Sequence, residues 1–397
     1  MTAPAGQGRG SVDDGHVVAT YRFASDDAAA ARNAAEAFAV GQSVGTWVPL
    51  PGLTPELMAR HGARVTDVRH SDRGVHVDVT FPVVNFERGG FSMLLTTILG
   101  NDPSTGIAST LVHLALPPAY AAAFGGPRIG VAGWRQRLGV TDRPLLLNPM
   151  KPCTGLPSDV TARMAAEVAR GGIDLVKDDE VLADTTFSGI AERCRAVSRA
   201  LDDVADETGH RTGYVVSITD RPDRMLDHAR AAVEAGADGV MVAGLLTGLD
   251  ALQMVVEDVD GAVPVVAHSA GLEIFGAGSG LGIDAAVLVG RLLRAAGADA
   301  ILIGSPWARR PTPLPEWQRF AGLLLDDWCG LAQAFPVVGG GVVTEQLGEV
   351  VRLLGRDVIV TAGGAINGHP AGAEAGAREM MAALAAAASN AVPAAIA

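Results

Sequence analysis

Lysine is almost absent from this 397-residue chain: Lys151 and Lys177 are the only two, and every other basic side chain is arginine. An ammonium can lose its proton, act as base or nucleophile, or be modified, whereas a guanidinium stays charged. A sequence that writes arginine wherever either cation will serve has kept lysine at two positions, and both are candidates for chemistry. Aromatic residues are scarce too, at 5% against 48% hydrophobic residues, so the interior is expected to pack on Ala, Val and Leu. Positive charge is in deficit, and a formal net charge of -13 argues against nucleic acid and anionic membrane as partners. Three cysteines (Cys153, Cys194, Cys329) lie far apart without metal-type spacing, which suits a reducing cytoplasm. No 18-residue uncharged apolar run and no basic-then-apolar leader is found, so a soluble cytoplasmic protein is expected.

Both lysines end apolar runs. One closes Leu145-Leu146-Leu147-Asn148-Pro149-Met150-Lys151; the other stands in Gly171-Gly172-Ile173-Asp174-Leu175-Val176-Lys177-Asp178-Asp179-Glu180, where three carboxylates follow it at once. Lys177 is either a chemical group or one member of a structural ion cluster with Asp178 and Asp179. Buried ion pairs are poor stabilisers, which favours the first.

The first third of the chain mixes strand and helix signals. Residues 17–23, 63–71, 75–84 and 109–116 read as strands, with a turn at Ser71-Asp72-Arg73-Gly74. Residues 26–38 read as an Ala-rich helix capped by Ser25 or Asp26, and 91–99 as a second helix ending at Gly100-Asn101. The expectation is an α+β, ferredoxin-like N-terminal domain over residues 15–139.

From Pro144 the rhythm changes. Short apolar runs recur at 144–151, 172–178, 213–219, 239–244, 264–268, 298–304, 336–341 and 357–362, with helix-like segments such as 157–170, 187–209, 222–236, 281–297 and 315–334 between most of them. Eight such runs match an α/β fold of the (β/α)8, or TIM, barrel type over residues 140–397, with C-terminal helices; an open doubly wound sheet is the alternative. No sequence repeat stands out beyond this rhythm.

In a barrel the active site forms where the strands end. The first two runs end in Lys151 and in Lys177, Asp179 and Glu180, and the fifth ends in His268-Ser269. The last three end in glycines: Gly304, Gly339-Gly340-Gly341 and Gly363-Gly364. The late glycines either cradle an anion on backbone N–H groups or serve as tight turns. His268 is either a site residue or a hydrogen-bonded core histidine, and His369 reads as structural. Strand alternation places Lys177 and Asp179 on one face with Asp178 opposite, and Glu180 can bend back towards them. Two carboxylates suit a hard cation such as Mg2+.

Residues 171–180 resemble the metal-site signature of ribulose bisphosphate carboxylase (Rubisco) and its relatives. The resemblance extends through Gly45-Thr46-Trp47, Thr97-Ile98-Leu99-Gly100-Asn101, Leu116-Pro117-Pro118-Ala119-Tyr120, Met150-Lys151-Pro152, His268 and Gly363-Gly364-Ala365-Ile366-Asn367-Gly368-His369-Pro370. It implies that Lys177 is carbamylated by CO2 and binds Mg2+ with Asp179 and Glu180. It implies that Lys151 handles the proton during enolisation, and that His268 contacts a substrate hydroxyl. Thr46, Trp47, Gly341, Gly363 and Gly364 would hold one substrate phosphate. Asn101 would reach in from a partner subunit, in a homodimer with shared active sites.

The departures narrow the reading. The carboxylases need a lysine on the loop after the sixth strand, where this chain offers Arg309 and Arg310 and has no lysine after 177. A second lysine, two places beyond Lys151, is Cys153; the acidic residue four before Gly45 is Gly41. Second-phosphate ligands are replaced by Ser269, Leu302 and Gly339. The chain therefore resembles the Rubisco-like proteins, in which the enolising half of the machinery persists. The expected activity is a Mg2+-dependent enolisation of a small mono-phosphorylated keto-sugar or keto-acid derivative, as proton-transfer isomerase of the methylthioribulose-phosphate type or as decarboxylase. Either Lys151 or the Lys177 carbamate would move the proton, with a lysine pKa lowered by burial and a neighbouring cation. Among such relatives the salvage-pathway enolases are expected to be the least similar, because of a lysine near the position of Asn101. The competing reading is a catalytically silent dimer with a regulatory or stress-related role.

Overall fold

A computed structural model describes residues 15–45, 48, 50–100, 108–276 and 282–390. The chain divides into two compact units, one running to Phe124 and including Glu273–Val287, the other made of Gly125–Leu272 and the chain from Leu288 onwards.

The first unit is built on a five-stranded sheet in the order Gly282–Ile283, Ser109–Ala115, His16–Phe23, Gly74–Pro82, Arg64–Ser71. The long strands are antiparallel, and the short Gly282–Ile283 strand adds in parallel at one edge. The hairpin turn lies where the sequence put it, with Ser71 opposite Gly74. Gly74 has φ +115°, and a Cβ there would meet Phe23 O at 2.2 Å, so no other residue fits. Alternation buries Val75, Val77, Val79 and Phe81 on one face. The helix Ala28–Gly41 lays Ala31, Ala35, Phe38 and Ala39 inward, and Phe38 meets Tyr21 edge-on at 5.0 Å. Its cap is Asp27, not Ser25 or Asp26: Asp27 Oδ1 accepts from the N–H groups of Ala29 and Ala30, while Ser25 Oγ accepts from Asp27 N.

The second unit is the expected closed parallel barrel. Its strands are Leu145–Pro149, Leu175–Lys177, Gly213–Ser217, Gly239–Val242, Val265–Ala267, Ala300–Gly304, Phe335–Val338 and Ile359–Thr361. Every strand sends a side chain into the barrel interior, among them Leu145, Leu175, Val215, Met241, Val266 and Phe335. These side chains fill it as a packed core, not a pore. Val131 and Trp134, from the helix Gly130–Leu138, complete this core. The helix's residues, placed by the sequence within the first domain, belong to the barrel unit, and its apolar face is buried in the barrel core.

A repeat that the sequence reading passed over ties the opposite end of the barrel together. Gly172-Ile173-Asp174, Gly236-Ala237-Asp238 and Gly297-Ala298-Asp299 each precede a strand, and each glycine has positive φ. Each aspartate accepts a backbone N–H at the start of the preceding strand: Leu146 at 2.8 Å, Tyr214 at 2.9 Å and Val265 at 2.8 Å.

Two expected helices are shorter than read. The 315–334 segment is helical only over Leu314–Leu325, because Asp326 turns extended and takes up Arg291 and Arg294. The 281–297 segment breaks into Ala285–Val287, which falls in the first unit, a π-helical turn Leu288–Leu292, and Leu293–Ala295. No helix among the described residues is long and apolar enough to cross a membrane.

Candidate active site

A cavity of about 600 Å3 opens at the end of the barrel where the strands finish. Lys151, Lys177, Asp179, Glu180 and His268 line it together with the glycines of the last three strand ends. Five polar side chains from three strand ends thus meet across more than a hundred residues of sequence. Thr46, Trp47 and Asn101 lie outside the described residues.

Lys177 is buried, with 3% of its side chain exposed; its Nζ donates to Asp178 O at 2.8 Å and stands 4.0 Å from Glu180 Oε2. Burial pulls the amine below the ordinary lysine pKa, against the attraction of the three neighbouring carboxylates. Asp178 faces away from the cavity, as alternation requires. It accepts from Tyr214 Oη at 2.6 Å, Arg193 Nε at 3.1 Å and Ser217 N at 3.1 Å, all from within the barrel unit. Those donors serve a fully enclosed carboxylate whose burial pushes its pKa up. Behind the working face, this network fixes the chain between Lys177 and Asp179.

Lys151 differs from the expectation. Its Nζ is ion-paired with Asp179 Oδ2 and lies 3.0 Å from Cys153 Sγ. Burial alone would lower its pKa, but the hydrogen bonds and charge of Asp179 and Cys153 outweigh burial and raise it. The same pairing overcomes the burial of Asp179 and holds its carboxyl below the usual range. Of the two lysines only Lys177 has the lowered value.

His268 is placed by the end of the fifth strand, its own N–H bound to Val242 O at 2.8 Å. Nδ1 accepts the N–H of Ala270 at 3.1 Å, so the ring proton sits on Nε2, which lies 3.3 Å from Glu180 Oε2. Burial, set against the nearby Glu180, lowers its pKa to about 4, and the imidazole is neutral.

The glycine turns are shaped by close approach. Gly341 has φ +71° and a Cβ on it would meet Trp307 O at 2.1 Å; nothing lies within 4 Å of a Cβ built on Gly364. Two amides that the sequence reading did not single out tie the last strand to the first. Asn148 Nδ2 donates to Ala362 O at 2.8 Å, and Asn367 Nδ2 donates to Gly363 O at 2.8 Å and Pro149 O at 3.2 Å. Asn367 was visible within the 363–370 motif, but its reach to Pro149 was not. His369 turns away and pairs with Glu379 at 3.1 Å. Arg309 and Arg310 are exposed on the loop after the sixth strand and do not line the cavity.

Among the described residues no three His, Cys, Asp or Glu side chains are grouped to hold a metal. Asp179 and Glu180 supply two hard oxygen donors, and a third would come from Lys177 only if its amine carried a carboxylate. The low-pKa buried amine beside them suits that modification.

The model of the ribulose bisphosphate carboxylase large chain, N-terminal domain matches residues 10–120, and that of the catalytic domain matches 130–308 and 318–397. A "ribulose bisphosphate carboxylase-like protein" of Archaeoglobus fulgidus is 34% identical over 375 residues, 91% of this chain and 85% of that one. A "2,3-diketo-5-methylthiopentyl-1-phosphate enolase" of Geobacillus kaustophilus is 34% identical over 381 residues, 93% of this chain and 91% of the relative. Relatives named as enolases are thus as similar as the carboxylase-like protein, contrary to the expectation that salvage enolases would be the least similar. Among solved structures, the octameric ribulose-1,5-bisphosphate carboxylase/oxygenase of Pyrococcus horikoshii matches with a TM-score of 0.89 at 30% identity, covering 95% of this chain and 89% of that one.

Proposed function

Because the chain belongs to the ribulose bisphosphate carboxylase large-chain family, we propose that it is a non-carboxylating, Mg2+-dependent enzyme that enolises a phosphorylated keto compound. The observation that carries this reading is the convergence of both lysines, Asp179, Glu180 and His268 on one cavity with the glycine turns. The enolase relative is named for a diketone with one phosphate, and we take that substrate class for this chain, in the form of a keto-sugar or keto-acid derivative. Carboxylation is set aside because the loop after the sixth strand brings no lysine and its two arginines stand outside the cavity.

Lys177, once carbamylated, Asp179 and Glu180 are the residues that would hold the metal. The neutral Lys177 amine attacks CO2; the Nζ–C bond forms, one N–H proton leaves to solvent, and the side chain ends in carbamate oxygens. A Mg2+ ion held there would supply electrophilic stabilisation to negative charge developing on a substrate oxygen. Lys151 is held as an ammonium by Asp179 and would take the proton from carbon only as the free amine, once a cation engages that carboxylate; proton return at a neighbouring carbon would make the same site an isomerase. His268 offers its Nε2–H face to a substrate hydroxyl. Backbone N–H groups of Gly341, Gly363 and Gly364 receive the phosphate. Fixing the phosphate fixes the reacting carbons, which is how positioning lowers the barrier.

The test is exchange of a substrate C–H proton into D2O, with 2,3-diketo-5-methylthiopentyl 1-phosphate and phosphorylated ketoses as substrates. Wild type with Mg2+ and bicarbonate exchanges, EDTA stops it, and Lys151→Ala slows it on the order of 10²–10⁴-fold. Silence of the wild type with every phosphorylated ketone would favour the non-catalytic dimer instead.

A further inference from the structure

The proposed mechanism asks two things of one carboxylate. Asp179 Oδ2 accepts from the Lys151 ammonium, and the same side chain is needed by the cation. An ammonium on a flexible stem that loses this partner would be free to leave the cavity wall. Lys151 has one other hydrogen-bond partner among the described residues, Cys153 Sγ at 3.0 Å. The thiol sits two residues along the chain, on the loop that also carries Lys151, and it is half-buried. A thiol is a weak acceptor, able to orient an amine without holding it as a carboxylate does.

We infer that Cys153 is a positioning residue: it keeps the Lys151 amine facing the cavity once Asp179 is engaged by a cation. Lys151 passes from an Asp179-held resting state to a Cys153-held working state, and the thiol matters only in the second. The inference rests on the proposed function for the event that removes Asp179, but the contact between amine and thiol does not. Cys153 itself makes no bond to substrate.

The chain's two lysines make the test direct, since Lys177 is buried and Lys151 is 41% exposed. Acetylation of Lys151 by an N-hydroxysuccinimide ester, read peptide by peptide in a mass spectrometer, reports how freely its amine moves. In an Asp179→Asn background, Cys153→Ala should speed this labelling about threefold to tenfold, the freedom of one released side chain. Cys153→Ser should return most of the difference. With Asp179 intact and EDTA present, Cys153→Ala should change the rate by less than about twofold, since the carboxylate still holds the amine. Equal labelling of Asp179→Asn with and without Cys153→Ala would overturn the inference. A separate arm checks the metal: Mg2+ with bicarbonate should make the Cys153→Ala protein label as the double variant does. If Mg2+ leaves its rate at the EDTA value while the double variant is still accelerated, the metal reading fails and the role of Cys153 stands.

Discussion

His268 Nε2 and Glu180 Oε2 stand 3.3 Å apart across the cavity, with the ring's other nitrogen accepting the N–H of Ala270. The ring is therefore held as a neutral donor beside a carboxylate, by its backbone neighbour on one side and by burial.

This arrangement makes stability depend on pH in a known direction. The folded pKa of His268, lowered to about 4 by burial, lies below the ordinary value of 6.5. Between those values the unfolded chain binds the extra proton, so the contribution is fully present above pH 6.5 and is lost as pH falls towards 4. Its size is about 3 kcal/mol between pH 7 and pH 4. Urea unfolding at pH 7, 5.5 and 4.5 should show His268→Asn with a flatter pH dependence than wild type. Parallel slopes in the two proteins would refute the buried neutral ring.

Lys177 should be the site of CO2 capture. Its amine is the one of the pair with lowered pKa. Under 13C-labelled CO2 and Mg2+, a carbamate carbon resonance is expected in wild type and in Lys151→Ala, and none in Lys177→Ala. Lys177→Arg should be inactive, since guanidinium does not carbamylate. A resonance that persists in Lys177→Ala would place the chemistry elsewhere.

The two glycine turns should separate stability from binding. A Cβ on Gly364 meets no protein atom within 4 Å, whereas one on Gly341 meets Trp307 O at 2.1 Å and stands on a backbone with φ +71°. Gly364→Ala should leave the unfolding midpoint unchanged and raise KM for the phosphorylated substrate on the order of tenfold, as a methyl enters the phosphate cradle. Gly341→Ala should lower stability by roughly 1–3 kcal/mol as well. An unchanged KM in Gly364→Ala, measured by the exchange assay, would remove that turn from the phosphate site.

Arg193 and Asp178 are both fully buried and 3.0 Å apart. Arg193→Leu leaves the carboxylate without its cation, at a cost of about 3–5 kcal/mol. The loss should be recovered in part by adding Asp178→Asn, because the amide needs no counter-charge. Chemical denaturation of the single and double variants measures both; an Arg193→Leu protein as stable as wild type would mean the pair is not the anchor of the Lys177 strand end.

Much of the site was legible because barrel geometry turns strand ends into neighbours. Once the apolar runs ending at Lys151, Lys177 and His268 are taken as parallel strands, the polar residues after them have one place to meet. What stayed hidden depends on contacts between distant segments. Cys153 was noted only as a departure from the family's second lysine, because nothing local shows a thiol meeting an amine. Asp178 was placed on the far face by alternation, but Tyr214 and Arg193 lie 36 and 15 residues away. The boundary expected near 139 falls instead after Phe124 for a similar reason: whether Trp134 buries in one core or another is not a local property of its helix. Glu273–Val287 was read as barrel chain because its strand is two residues long and carries little pattern.

By itself the sequence determined the types of chemistry available, an amine at two places and carboxylates beside one of them, and the periodicity that makes a barrel. Those are properties of side-chain composition and of residues a few positions apart. Only the tertiary structure decided which way each group's pKa moves. Lys151 and Lys177 carry the same amine, yet one has its pKa raised by Asp179 and Cys153 and the other has it lowered by enclosure. A pKa is set by the solvent and charges around a group, and those come from every strand end at once.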